Sequence, residues 1–377
     1  MKILYISNRS NSQNKNGAYQ VAQRNYEHLK EIFNRKIEIY LIKKKSIVSK
    51  IIDTFIFKRL EGISIKMEDE IISILSTNEF NYVFFESSSF GYCAEKIKKK
   101  YPKIKIITFF HDINHSLWKP LYLETKKNKK NLLNTIKLKK FMKNSIVNEK
   151  KVCEISDKII TLNSRDSILL KELYKVSSDK EIGVTFPMRK ISRFDKKVEK
   201  EKLKLLFVGV GTFLPNIQGI EFFIKKVLPY INVELEIVGK GTEINKEKWE
   251  SLNSKVKVRG TVDSLDEYYN DADVVIAPIF MGGGMKVKTA EALSYGKTIF
   301  GTKEAFEGYE VDYKKVGGLC NTAEEFIKSI TEYMKWWENN NKPVFNEYSY
   351  QIFKEKYSYE SSLKKFKEIF EKLEKEN

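Results

Sequence analysis

Cysteine is scarce in this chain, with only Cys93, Cys153 and Cys320 among 377 residues. Three scattered thiols exclude a disulfide framework and argue for a reducing compartment. Histidine is equally rare, at His28, His111 and His115. Without a cysteine pair, this leaves little from which to build a metal site, and none is expected. No window approaches 18 uncharged apolar residues, which excludes a membrane-spanning helix. The opening Met1–Ser7 run is short and strand-like and has no cleavage site, so a signal peptide is not expected. No Gly-x4-Gly-Lys-Ser/Thr occurs, which excludes a Walker loop.

What is present describes a globular chain, 42% hydrophobic and 31% charged, long enough for two cores. Its net charge of +18 is unevenly placed. Up to Gly183 there are 36 Lys and Arg against 20 Asp and Glu, and beyond it 32 against 30. A one-sided basic field implies an anionic partner for the first half: membrane, lipid-linked phosphate or nucleic acid. The basic runs carry lysine far more than arginine and no recognition motif accompanies them, so a specific nucleic acid is not expected.

Hydrophobic patterning alternates between strands and helices in both halves. Strands are predicted near 2–7, 36–42, 81–85, 103–110 and 158–162, and helices near 18–32, 66–75, 92–100, 132–155 and 165–174. This is the order of a parallel sheet wrapped by helices. A charged stretch with Pro187 and no sustained period follows, and the pattern then restarts at Leu203–Val208. Ile220, Phe223, Ile224 and Val227 mark the buried face of a helix, and Thr322 with Glu325 predicts a capping box. The expected organisation is an α/β chain of two Rossmann-like doubly wound parallel-sheet domains. Residues 1–183 form the first, 184–202 a linker, 203–345 the second, and 346–377 the terminal helices.

The most informative segment runs from Pro278 to Gly296. A buried strand enters Gly282-Gly283-Gly284, and a helix opens near Lys286. Consecutive glycines let backbone N–H groups approach a ligand, and a helix N-terminus favours phosphate. Lys286 and Lys288 add cations. Glu291, one turn on, makes sense beside a phosphate if it accepts hydrogen bonds from a sugar hydroxyl. Close packing of a glycine-rich turn with solvated lysines is the alternative.

With these residues in place, the chain resembles the GT-B glycosyltransferases of the family-4 group, most clearly from Leu203 to Gly318. The matching pieces are Leu205–Gly209, Pro215-Asn216 with Gly219, Val227–Pro229, Ile237–Gly239, Gly260–Val262, Ala272-Asp273, Gly282–Leu293, and Thr302 through Gly308. The resemblance implies a crevice between the two domains and a last helix crossing back to the first. It also implies a nucleoside-diphosphate sugar as donor substrate with no further cofactor, and sugar transfer with retention and without a metal ion. The implied donor-binding residues are Gly209, Gly211, Gly282, Gly283, Gly284 and Glu291, with Glu291 on the ribose. Leaving-group charge would fall to Lys286 and Lys288. The chain departs from the common family pattern at two places. Gly283 stands where many members carry a glutamate that touches the donor sugar, and Val210 and Asn216 or Gln218 stand at or near positions often basic. The missing glutamate leaves a nucleotide-sugar epimerase or hydrolase as the alternative activity.

In the first half, Gly17-Ala18 follows the first strand at an acceptor-side position, where an ordinary turn is an equal reading. His111-Asp112 ends the 103–110 strand, where His could meet a sugar hydroxyl or developing charge and Asp could orient an acceptor hydroxyl. Such a pair is also a common loop feature. Two stretches suggest a membrane surface. Ile47, Val48, Ile51, Ile52, Phe55 and Ile56 fall on one helical stripe between Lys43–Lys45 and Lys58-Arg59. From Thr125 to Asn148 there are eight lysines and no acid, with Leu132, Leu133, Ile136 and Phe141 among them. Core-facing stripes with solvated lysines are the alternative for each. The combined expectation is a cytoplasmic enzyme, peripheral on the inner membrane face, that acts on a glycan or lipid-linked acceptor in surface polysaccharide synthesis, with capsule or lipopolysaccharide the pathways in view.

Overall fold

A computed structural model of the chain describes residues 1–8, 17–43, 45–60, 62–128, 132–189, 191, 201–282 and 284–376. The chain divides into two compact units. The first is Met1–Gly183 with Leu363–Asn377, and the second is Val184–Ser362. The fold is the two-domain α/β arrangement expected of GT-B proteins.

In the first unit, β1 (Ile3–Ser7), β2 (Ile37–Leu41), β3 (Tyr82–Phe85), β4 (Lys105–Phe110), β5 (Lys158–Thr161) and β6 (Lys180–Glu181) form one sheet in the order β2-β1-β3-β4-β5-β6. Every pairing is parallel. Tyr82–Phe85 is buried throughout, as a strand covered by helices on both faces must be. Chain order reverses between β1 and β3, and the loops at their carboxyl ends are where a doubly wound sheet binds ligands.

The returning C-terminal segment covers one flank of that sheet. Phe366 lies against Phe84 and His28, and Phe370 meets Phe33 and Tyr82 edge-on at 4.9 and 5.3 Å. Lys158 pairs with Glu376 at 2.8 Å. His28 is a core residue: burial, then Arg24 and Lys367, hold its imidazole down at about 2, so it stays neutral.

In the second unit, β7 (Leu203–Val208), β8 (Val233–Val238), β9 (Val256–Gly260), β10 (Val274–Ala277), β11 (Thr298–Gly301) and β12 (Gly317–Leu319) take the order β12-β11-β10-β7-β8-β9, again all parallel. The reversal lies between β7 and β10. The predicted face Ile220, Phe223, Ile224 and Val227 is buried beneath this sheet with Trp249 and Trp337. The capping box forms as read: the Thr322 side chain accepts from Glu325 N–H, and the Glu325 side chain returns to the N-cap backbone.

The helix Asn114–Asn128 is a departure from the sequence reading. It carries Pro120 in its interior, a residue that argues against a helix there. Glu149 explains its start. This fully buried carboxylate accepts Asn114 N–H at 2.7 Å, the Tyr174 hydroxyl at 2.6 Å and Ser88 Oγ at 3.2 Å. Burial pushes the Glu149 carboxyl up to about 7 against those donors.

Candidate active site

At the β7 end of the second unit, glycine is a geometric requirement. A Cβ on Gly209 would stand 2.9 Å from Asn216 Nδ2 and 3.1 Å from Lys288 Nζ. One on Gly211 would strike the Gly241 carbonyl at 2.5 Å, and one on Gly219 would come within 1.9 Å of the Pro278 oxygen. The backbone here is drawn tight: Gly209 N–H donates to Val238 at 3.0 Å and Gly211 N–H to Lys240 at 2.9 Å.

Into this space the helix Val287–Ser294 directs Lys288. Its Nζ donates to Asn216 Oδ1 at 2.8 Å and lies 4.3 Å from the Phe207 ring centroid. Asn216 is oriented in turn, since its Nδ2 donates to Val210 O at 2.9 Å. Desolvation first, and the Lys286 charge second, push the Lys288 ammonium down to about 7. A half-buried cation beside an amide, a ring face and another cation is one whose charged form a nearby anion would favour.

Lys286 is placed differently from its neighbour. Its ammonium pairs with Glu304 at 2.6 Å and donates to Gly284 O at 2.8 Å. Its charge is therefore spent in part on the glycine turn, where Gly282 and Gly284 hold φ of +147° and +64°. Gly283 lies outside the described residues. Tyr309 braces the helix start by donating to Lys286 O at 2.7 Å and accepting from Ala290 N–H at 3.2 Å.

Glu291, further along the same helix, accepts from Tyr269 Oη at 3.2 Å. Burial raises its carboxyl above the ordinary range, while Arg189 and Tyr269 oppose that shift. Arg189 had no signal in the sequence: it stands in a charged segment without periodicity, and only the fold brings it to Glu291.

The first unit builds a different cluster at its own strand ends. His111 emerges buried from β4, and its Nε2 meets Glu86 Oε1 at 2.7 Å. Glu86 follows β3, is wholly buried, and also accepts from Tyr5 Oη at 2.8 Å and Asn25 Nδ2 at 2.9 Å. The sequence reading found His111 but not Glu86, because a carboxylate after an apolar strand looks like any loop acid. Asp112 is half-buried at the same strand end, and Gly17 and Ala18, also half-buried, open the helix Gly17–Ile32. The rest of that first loop, including Asn14–Asn16, lies outside the described residues. Among the described residues, no group of three or more His, Cys, Asp or Glu could hold a metal ion.

The apolar stripe of the helix Ile47–Phe55 faces solvent. Ile47 is 76% exposed, and Val48, Ile51, Ile52 and Ile56 are exposed with it. Its opposite side is tied down by an Asp53–Lys45 pair at 2.5 Å and by Asn144 Nδ2 donating to Thr54 O. Leu132, Leu133 and Ile136 of the helix Leu132–Ile155 are exposed too, Leu133 to 81%. Among the described residues no helix is long and apolar enough to cross a membrane.

Comparisons with known proteins bear on the family and the fold. Residues 192–335 match the family of glycosyl transferases group 1. An uncharacterized glycosyltransferase of Methanocaldococcus jannaschii is 28% identical over 219 residues, 52% of this chain and 54% of that protein. The match thus spans about half the length of that curated relative. A sucrose-phosphate synthase from Thermosynechococcus elongatus superposes with a TM-score of 0.69 at 12% identity, covering 100% of both chains. HepE of Anabaena, in complex with UDP and glucose, superposes at 0.63 and 11% identity over 98% of this chain and 99% of that one. At such identities the structural likeness speaks for the fold.

Proposed function

We propose that the protein transfers a sugar from a nucleoside-diphosphate donor to a glycan acceptor, a reading supported by the match of residues 192–335 to the family of glycosyl transferases group 1. The observation that carries this reading is Lys288, a half-buried cation in the space beside Gly209 at the switch point of the second sheet. A diphosphate supplies the charge that this space lacks. In this reading Lys288, helped by Lys286, stabilises the leaving diphosphate, and the amides of the glycine turn and the helix start add partial positive charge. Gly209 and Gly211 allow the donor's close approach, and Glu291 accepts the ribose hydroxyls. In the first unit, Glu86 holds the His111 imidazole where it can meet the acceptor sugar or the developing charge. Asp112 orients an acceptor hydroxyl, and Gly17-Ala18 line the acceptor side. Transfer proceeds with retention and without a metal ion.

The acceptor is lipid-linked and the enzyme works peripherally on the inner face of a bacterial cell membrane, in surface polysaccharide synthesis. The exposed stripe of Ile47, Val48, Ile51 and Ile52 supports this, standing in the half that also holds the lysine run 126–143. Apolar side chains would enter the headgroup region while lysines meet anionic lipid, at roughly 1 kcal/mol each.

Changing Lys137, Lys139, Lys140 and Lys143 to Gln tests this directly. Binding to anionic liposomes and activity on a lipid-linked acceptor should both fall, while activity on a short soluble acceptor survives. High salt should mimic the variant, since the screening length shortens to about 3 Å at 1 M. Equal loss on both acceptors would refute membrane docking through these lysines. Isomerised or hydrolysed donor without transfer would favour the epimerase or hydrolase reading, which the glycine at position 283 keeps in view.

A further inference from the structure

Arg189 enters the second unit on a segment locked into place by its neighbour. Phe186 donates its N–H to Tyr357 O at 3.1 Å and accepts from Tyr359 N–H at 2.8 Å. The guanidinium is thereby laid over two rings, 5.4 Å from the Tyr295 centroid and 5.7 Å from that of Phe186. Tyr295 itself stacks flat on Tyr269, with centroids 4.5 Å apart and planes 7° from parallel. From this seat Nη2 lies 3.9 Å from Glu291 Oε1 and Nη1 lies 3.7 Å from Asp266 Oδ1. Both exceed hydrogen-bonding distance, so the attraction is Coulombic. Arg189 Nε is buried and has no hydrogen-bond partner among the described residues. The guanidinium is therefore held by ring faces and electrostatics while the carboxylate keeps oxygen lone pairs for other donors.

We propose that Arg189 is a positioning residue of the donor site, holding the Glu291 carboxylate charged and in place to accept the ribose hydroxyls. This rests on the reading of Glu291 as the ribose contact. The groups acting on Glu291 are few: burial raises its carboxyl, Arg189 and the Tyr269 hydroxyl lower it, and Asp266 raises it slightly. Asp266 is itself bonded by the Tyr295 hydroxyl and drawn down by it. Lys288, one turn earlier on the same helix, is directed to Asn216 instead. Among the described residues, Arg189 is thus the cation among the groups that set Glu291. An arginine suits the role because it stays charged when partly buried and stacks on aromatic faces.

Affinity for a nucleotide sugar tests the inference, read by calorimetry with whichever of UDP-glucose, GDP-mannose and ADP-glucose binds best. Arg189→Met should weaken binding about tenfold near pH 6 and distinctly less near pH 8, because the uncompensated carboxyl takes up a proton at higher pH than before. Arg189→Lys should recover part of the loss, since the charge is kept and the ring stacking is not, and melting curves separate either effect from unfolding. In a Glu291→Gln background, Arg189→Met should change affinity by less than about twofold, since the group it acts through is gone. A penalty that is equal at both pH values, or that adds fully to that of Glu291→Gln, would overturn the proposal. An unchanged affinity in Glu291→Gln itself would instead remove the ribose reading on which it stands.

Discussion

The two units solve one topological problem with opposite chemistry. Each is a six-stranded parallel sheet with a reversal that opens a gap between strand ends. In the second unit those strand ends hold Lys288 against Gly209, and its partners are an amide oxygen and a ring. In the first unit the corresponding strand ends hold a buried carboxylate, Glu86, with donors from Tyr5, Asn25 and His111 around it. The first arrangement would be favoured by an anion. The second has met its own demand for charge and presents an oriented imidazole. A doubly wound sheet therefore specifies where a ligand binds, while the side chains at the strand ends specify what kind of ligand it is.

The sharpest way to break this contrast is to remove the cation. Lys288→Ala should lower kcat by roughly a hundred- to a thousandfold, the usual cost of about 2.7–4 kcal/mol for one group that stabilises developing charge. The double variant with Lys286→Ala should lose more, by a smaller factor than the first substitution, because Lys286 is already paired with Glu304. A folded Lys288→Ala enzyme with unchanged turnover would falsify the anion-site reading of the second unit.

A smaller effect is expected on the other side. His111→Ala should reduce kcat on the order of a hundredfold with little change in donor KM, at the low end of what positioned acid–base groups contribute. Glu86→Gln should reproduce part of that loss while the protein stays folded. Glu86→Ala should instead show up first in the melting temperature, because orphaning a buried donor costs about 1–3 kcal/mol. If His111→Ala raised donor KM and spared kcat, the division of labour between the units would be wrong.

Smaller still, Glu291→Gln should raise donor KM by roughly tenfold, in line with about 1.5–3 kcal/mol for a charged hydrogen bond. Turnover should change far less, because the ribose is remote from the reacting carbon. A large fall in kcat at constant KM would move Glu291 to the reaction centre.

The last effect is a pH dependence with a definite sign. The Lys288 ammonium is held at about 7 in the folded protein, below the free lysine value. From about pH 7 to about pH 10 the unfolded chain therefore binds a proton that the folded, empty protein lacks, and folding stability rises with pH across that window. A diphosphate that recharges the lysine must take up that proton. Donor affinity should fall about fivefold between pH 7 and pH 8, the slope set by one proton. Calorimetry in buffers of different ionisation heat should count it, and Lys288→Arg should abolish the uptake. Affinity flat across this range would mean that Lys288 is charged before the ligand arrives.

Much of this architecture is legible in the residues. Ranges read from periodicity at 132–155 and 203–208 coincide with the elements, because buried strands and long helices write their period into local sequence. The glycine turn and its lysines are local for the same reason. Glycine at a tight approach and a cation at a helix start are requirements of neighbouring residues.

What the tertiary structure alone decided is which groups meet. Lys286 and Lys288 look equivalent in sequence, yet one faces Glu304 and the other Asn216, residues 18 and 72 positions away. Glu86 reaches His111 across 25 positions, and Arg189 reaches Glu291 from a segment with no pattern at all. The stripe at 47–56 taken alone reads in sequence more readily as core than as surface, until the buried side of its helix is seen to be Asp53 and Thr54. Local sequence determines the conformation of a segment, because backbone propensity and hydrophobic period are properties of near neighbours. Whether a charge is paired, buried or open depends on residues brought up from elsewhere in the chain, and the fold supplies them.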